Sequence, residues 1–85
     1  MPTSELKNKL VAILGFGQEG QSTAEYLLKA GIRPVLFDQR PWGDWAKEDQ
    51  EKIKNLGVNF IFGPDAFLEL KGFDVAFRRD RKSVV

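Results

Sequence analysis

Val11-Ala12-Ile13-Leu14-Gly15-Phe16-Gly17-Gln18-Glu19-Gly20 is the stretch that decides the fold of this chain. The apolar run Leu10–Leu14 is unbroken rather than alternating, which suits a strand buried on both faces of a parallel sheet. Beyond the glycines, Ala24, Leu27 and Leu28 recur at helical spacing, with Gly20 one turn before Ala24 on the same face. Gly31 stands where a helix C-terminal cap belongs. Strand, glycine turn and helix therefore follow in direct succession. Each glycine has a physical role in that turn. Gly15 permits the tight exit from the strand, Gly17 leaves the backbone open to a ligand, and Gly20 lets the helix approach the sheet closely.

Further along, Pro34-Val35-Leu36-Phe37 reads as a second strand ending at Asp38, followed by a loop over Gln39–Gly43. Asp44 is a plausible N-cap for a helix over residues 45–56, whose thin apolar face is Trp45, Ala46, Ile53 and Leu56. Glu48 and Lys52 add a favourable pair one turn apart, and Gly57 ends the helix. Val58–Phe62 reads as the third strand. Gly63-Pro64-Asp65 turns the chain into a short helix over residues 66–70, and Gly72 precedes a fourth strand, Phe73–Phe77. The alternation predicts an α/β, Rossmann-like three-layer fold: a parallel four-stranded sheet in the order 3-2-1-4 with helices on both faces. Residues 1–78 are expected to form this one domain, with the outer edge of the fourth strand left open and prone to association.

The chain has 85 residues, room for one small domain. Its composition is that of a soluble globular protein. No apolar run is long enough to span a membrane, and the first residues lack the pattern of a signal peptide, so a cytoplasmic location is expected. Cysteine and histidine are both absent, which removes disulfides, thiol and imidazole catalysis and most zinc chemistry. No carboxylates gather at metal-ligand spacing, and no Walker-type phosphate loop is present. Arg78, Arg79, Arg81 and Lys82 stand against Asp80 alone, so the net charge of +1 comes from the last eight residues. No basic stripe interleaved with aromatics occurs elsewhere, and nucleic acid is not an expected partner.

The glycine turn opens a helix, whose unpaired N–H groups and positive dipole end suit a diphosphate. A lone G-x-G-x-x-G is weak evidence. Here it follows a strand, opens a helix and precedes an acid, Asp38, roughly twenty residues on, which strengthens it. In dinucleotide enzymes that acid binds ribose hydroxyls. The alternative for the glycines is plain turn and cap chemistry, and for Asp38 a strand-end turn. Arg40 is either a ligand contact or a solvated loop charge. Glu19 suits the helix dipole but opposes a nearby diphosphate. Trp42 and Trp45 could stack on a base, although covering the sheet edge is the simpler role. No residue is expected to catalyse a reaction on its own.

Val11–Ser22, Pro34–Pro41 and Gly72–Phe77 together resemble the opening of the UDP-N-acetylmuramoyl-alanine–D-glutamate ligases of the Mur ligase family, over about residues 8–78. The resemblance implies a peptidoglycan-precursor enzyme of three domains. The first holds the UDP part of UDP-N-acetylmuramoyl-L-alanine, the second ATP and magnesium, and the third takes in D-glutamate. The substrate carboxylate becomes an acyl-phosphate that the amine attacks. On this resemblance Gly15, Gly17 and Gly20 serve a nucleotide-sugar diphosphate, Gln18 and Glu19 lie near it, and Asp38, Gln39 and Arg40 contact the uracil end. This chain would then bind but not catalyse, with the ATP-binding and C-terminal domains missing. One departure stands out. The family continues after the fourth strand with Ser-Pro-Gly, whereas here Arg78 leads into Arg79–Val85, and residues 79–85 are expected to be a divergent, non-native tail. The competing reading is the cofactor domain of an NAD(P)-dependent oxidoreductase, with Asp38 on the adenosine ribose and Arg40 accommodating a 2′-phosphate.

Overall fold

The computed structural model describes residues 8–78 and 81–84. Its elements follow the expected alternation: β1 (Val11–Leu14), α1 (Gln18–Lys29), β2 (Val35–Asp38), α2 (Lys47–Leu56), β3 (Phe60–Phe62), β4 (Val75–Arg78) and β5 (Arg81–Val84). Short 3-10 turns at Trp42–Asp44 and Ala66–Leu70 complete the second and third crossovers. The first four strands are mutually parallel in the order β3-β2-β1-β4, as the right-handed crossover rule requires. Ile13 is the hub of the register, opposite Leu36 on one side and Phe77 on the other.

The unbroken apolar run of β1 is explained by its position. Val11, Ala12 and Ile13 are all buried, because alternate residues serve opposite faces of a covered sheet. Val11, Ile13, Leu36, Val75 and Phe77 pack under α1 and α2, where Ala24, Leu27 and Ile53 complete the core. On the other face Ala12, Phe37 and Ala76 meet Ala66, with Phe67, Leu70 and Phe73 packed around them. Two full helices thus cover one face, and a single 3-10 turn serves the other.

Two local expectations are corrected. Asp44 does not cap α2. It lies in the 3-10 turn, and α2 starts at Lys47, with Ala46 at the N-cap and no side-chain cap. The cause is Trp45, which is buried against Phe16 and Phe62. Its extended backbone, and that of Ala46, separates the two helical pieces. Burial of a large indole outweighs one capping bond. Asp74, predicted in β4, instead precedes it. Its carboxylate accepts the Leu10 amide at 2.8 Å while its own amide donates to the Leu10 carbonyl at 2.9 Å. The pair fixes β4 against β1 at the end of the sheet away from the glycine turn.

The expected open edge of β4 is also corrected. β5 pairs with it antiparallel, Val75 opposite Val84 and Arg78 opposite Arg81, giving a five-stranded sheet. Of the expected tail, residues 79, 80 and 85 lie outside the described residues, as does the lead before residue 8. A covered β4 has its ladder groups paired and offers no template to another chain. Deleting residues 79–85 is therefore expected to lower the melting temperature and produce concentration-dependent association. Thermal melts and size-exclusion chromatography with light scattering over a concentration series check this.

Candidate functional site

The C-terminal ends of the strands meet α1 at the point where the chain, having laid β2 and β3 on one side of β1, crosses to place β4 on the other. Ligands of open α/β sheets bind in the crevice at such a switch. A groove of about 1040 Å³ lies there. Its lining comes from the end of β1 and the turn after it (Leu14 to Gly20), from Asp38 and Arg40 after β2, from Phe67 in the third crossover, and from Arg78 at the end of β4.

The turn is shaped by two of its glycines. Gly15 has φ +84°, a left-handed conformation that side chains resist. Gly20 lies so close to the start of the turn that a Cβ there would stand 2.5 Å from the Gly15 carbonyl oxygen and 3.6 Å from the Ile13 side chain. Gly17 differs: a Cβ would meet nothing within 4 Å. The first two positions build the turn, and the third leaves its rim open to the groove.

Backbone hydrogen bonds divide the amides of the turn in the same way. The Gly15 amide donates to the Phe37 carbonyl at 2.7 Å, and the Phe16 amide to Asp38 Oδ2 at 2.9 Å. Both are taken by β2. The first bond into α1 runs from the Gln21 amide to the Gly17 carbonyl at 2.9 Å, and no side chain caps the helix. The amides of Gly17, Gln18, Glu19 and Gly20 are left without an acceptor among the described residues. A helix of this length with free N-terminal amides favours an anion.

Asp38 does more than the sequence suggests. Besides Phe16, it accepts the Arg40 amide on Oδ1 at 2.8 Å, and its carbonyl accepts the Gly63 amide. One carboxylate thus joins the glycine turn to the loop after β2. Arg40 is held in turn by Trp45: the guanidinium lies 4.4 Å from the indole centroid, and the indole N–H donates to the Arg40 carbonyl at 3.1 Å. Trp45 stacks on Phe62 and meets Phe16 edge-on, while Trp42 stacks on Phe60 at 4.7 Å. The two indoles cover the β3 side of the sheet rather than standing free for a base.

Of the sequence-predicted residues, the structure brings Gly15, Gly17, Gln18, Glu19, Gly20, Asp38 and Arg40 to one groove. Gln39 is exposed and outside the lining. Phe67 and Arg78 were missed. Neither belongs to a motif, and only the strand order reveals that the third crossover and the end of β4 face the glycine turn. No cluster of His, Cys, Asp or Glu suited to a metal ion occurs among the described residues.

Fold and groove define a Rossmann-like α/β domain with a glycine-rich turn at its switch point. The chain is 32% identical over 74 residues to the UDP-N-acetylmuramoylalanine–D-glutamate ligase of Ruminiclostridium cellulolyticum, which covers 87% of this chain and 16% of that protein. It is 37% identical over 71 residues to the ligase of that name from Clostridium tetani (84% and 15%), and 36% over 63 residues to that of Chlorobaculum tepidum (74% and 13%). The chain belongs to the UDP-N-acetylmuramoylalanine–D-glutamate ligase family and spans about one sixth of the length of these relatives. No protein-family model and no solved structure matches it.

The geometry gives two expected outcomes. Gly20→Ala drives a methyl group into the Gly15 carbonyl and should cost about 1–3 kcal/mol, read as a lower midpoint of urea unfolding. Asp38→Ala removes the carboxylate that accepts the Phe16 amide of the turn and the Arg40 amide of the loop after β2, leaving the bond from Gly15 to Phe37 in place. Amide exchange at Phe16 and Arg40, followed by NMR, should accelerate well beyond that of the β1 core amides.

Proposed function

We propose that this chain is the UDP-substrate-binding domain of a ligase that adds D-glutamate to UDP-N-acetylmuramoyl-L-alanine with ATP in peptidoglycan-precursor synthesis. The observation that carries this reading is the open rim of the turn at Gly17, with its free amides facing a groove large enough for a nucleotide, in a chain related to such ligases. The amides of Gly17–Gly20 hold the diphosphate. Asp38 and Arg40, fixed at the far end of the lining, meet the uracil side. No residue of the groove serves as a catalyst in this reading. ATP and magnesium belong to parts of the ligase beyond this chain, and the site of action is the cytoplasm.

Kinship favours this reading over an NAD(P)-dependent oxidoreductase, because the relatives that the chain matches carry the ligase name. A dinucleotide domain uses the acid at the position of Asp38 to accept the paired hydroxyls of the adenosine ribose. Here each carboxylate oxygen accepts one backbone amide and keeps a lone pair for a further donor, so it is the kinship that decides between the two.

Calorimetric titration of the 85-residue chain with UDP, UDP-N-acetylmuramoyl-L-alanine, NADH and NADPH distinguishes the readings. Heat is expected from both uridine compounds and none from the nicotinamide cofactors. Binding of NADH with no response to UDP would overturn the proposal.

A further inference from the structure

Among the described residues the groove is lined by two acidic and two basic side chains, Glu19 and Asp38 against Arg40 and Arg78. These charges cancel, so its attraction for an anion depends on which of them are free to respond. Asp38 accepts two backbone amides. Arg40 is held on the β2 side, its guanidinium over Trp45 and its backbone bonded at both amide and carbonyl. Glu19, in the first turn of α1, is exposed and opposes a phosphate at the helix start. The side chain of Arg78 is exposed and makes no hydrogen bond or ring contact among the described residues, its backbone alone being paired in the sheet.

Its position gives this freedom a use. β4 runs parallel to β1 with Phe77 opposite Ile13. One step further along the ladder, Arg78 comes beside Leu14, the residue that enters the glycine turn. Arg78 therefore stands at the switch point, across the groove from Arg40. A guanidinium is always charged and can engage two phosphate oxygens at once.

We propose that Arg78 is the principal anion-binding side chain of the groove, meeting a nucleoside diphosphate from the β4 side while the amides of Gly17–Gly20 hold it from the α1 side. This rests on the reading that the groove takes such a diphosphate. Arg78 supplies charge recognition and Asp38 shapes the turn, so the two residues divide work that the motif alone would assign to residues 15–40.

The test uses the full chain and its Arg78→Gln and Arg78→Lys variants, titrated with uridine, UDP and inorganic pyrophosphate by NMR and calorimetry at two salt concentrations. Arg78→Gln is expected to weaken UDP and pyrophosphate by about tenfold or more, as loss of a charge-assisted contact implies. Uridine binding should stay unchanged, and the salt dependence of UDP binding should flatten. Arg78→Lys should recover part of the loss. It also serves as the test should the glutamine variant fold poorly, in which case a UDP affinity equal to that of the parent chain counts against a bidentate role for Arg78. UDP binding within twofold of the parent in Arg78→Gln overturns the proposal and leaves the uridine reading standing. So does an equal loss for uridine and UDP, which marks a structural role. Pyrophosphate binding that depends on Arg78, with no binding of UDP, supports the anion role and overturns the uridine reading. A parent chain that binds neither overturns both.

Discussion

The carboxylate of Asp38 holds the glycine turn and the loop after β2 in one arrangement. It accepts an amide 22 residues earlier and another two residues later. Without it, the turn would keep its glycines and the bond from the Gly15 amide to the Phe37 carbonyl but lose the second of its two fastenings to β2, at Phe16. Once those two amides are committed, the remaining ones are presented together. Arg40 is set by the same carboxylate and then by the indole of Trp45. The shape of the groove on two of its sides thus owes much to one side chain at a strand end, where its partners are close and partly shielded from water.

Much of this was legible in the sequence where the signal is local. The run Leu10–Leu14, the glycine spacing and the helical recurrence of Ala24, Leu27 and Leu28 each determine structure within a few residues, and the parallel order follows from general handedness. The misreadings share a different cause. Asp44 has the chemistry of a cap, but Trp45 is drawn into the core by Phe16 and Phe62, partners distant in sequence. Asp74 sits in an apolar stretch that reads as strand, yet its carboxylate is turned to Leu10. The segment Arg81–Val84 reads as a charged tail, and its pairing with β4 depends on an edge that exists only in the folded sheet. Phe67 and Arg78 reach the groove through topology alone. Asp38 lies at the groove, and its bonds to two backbone amides could not be read from a one-letter pattern.

The two faces of the sheet are unequal. α1 and α2 cover one with Leu27 and Ile53, joined by Trp45 from the segment before α2, while the other relies on small residues, Ala12, Ala66 and Ala76, around Phe37. Small side chains let a short 3-10 turn approach closely where a full helix would need more room. They also bury less area per residue, and apolar burial is the main source of stability. Phe37 and Phe73, edge to face at 5.1 Å, contribute much of the packing on that side.

The central place of β1 has a consequence for how the molecule assembles. One side of it is filled by β2, close in sequence, but the other waits for β4, and the bond between Leu10 and Asp74 spans 64 positions. Closing so long a loop costs entropy before its contacts can repay it, which slows folding in chains dominated by distant pairings. During synthesis the first strand would therefore leave the ribosome early and stay half-partnered until nearly the whole of this segment had followed. That interval, rather than any weakness of the finished sheet, is when a chaperone would have most to do.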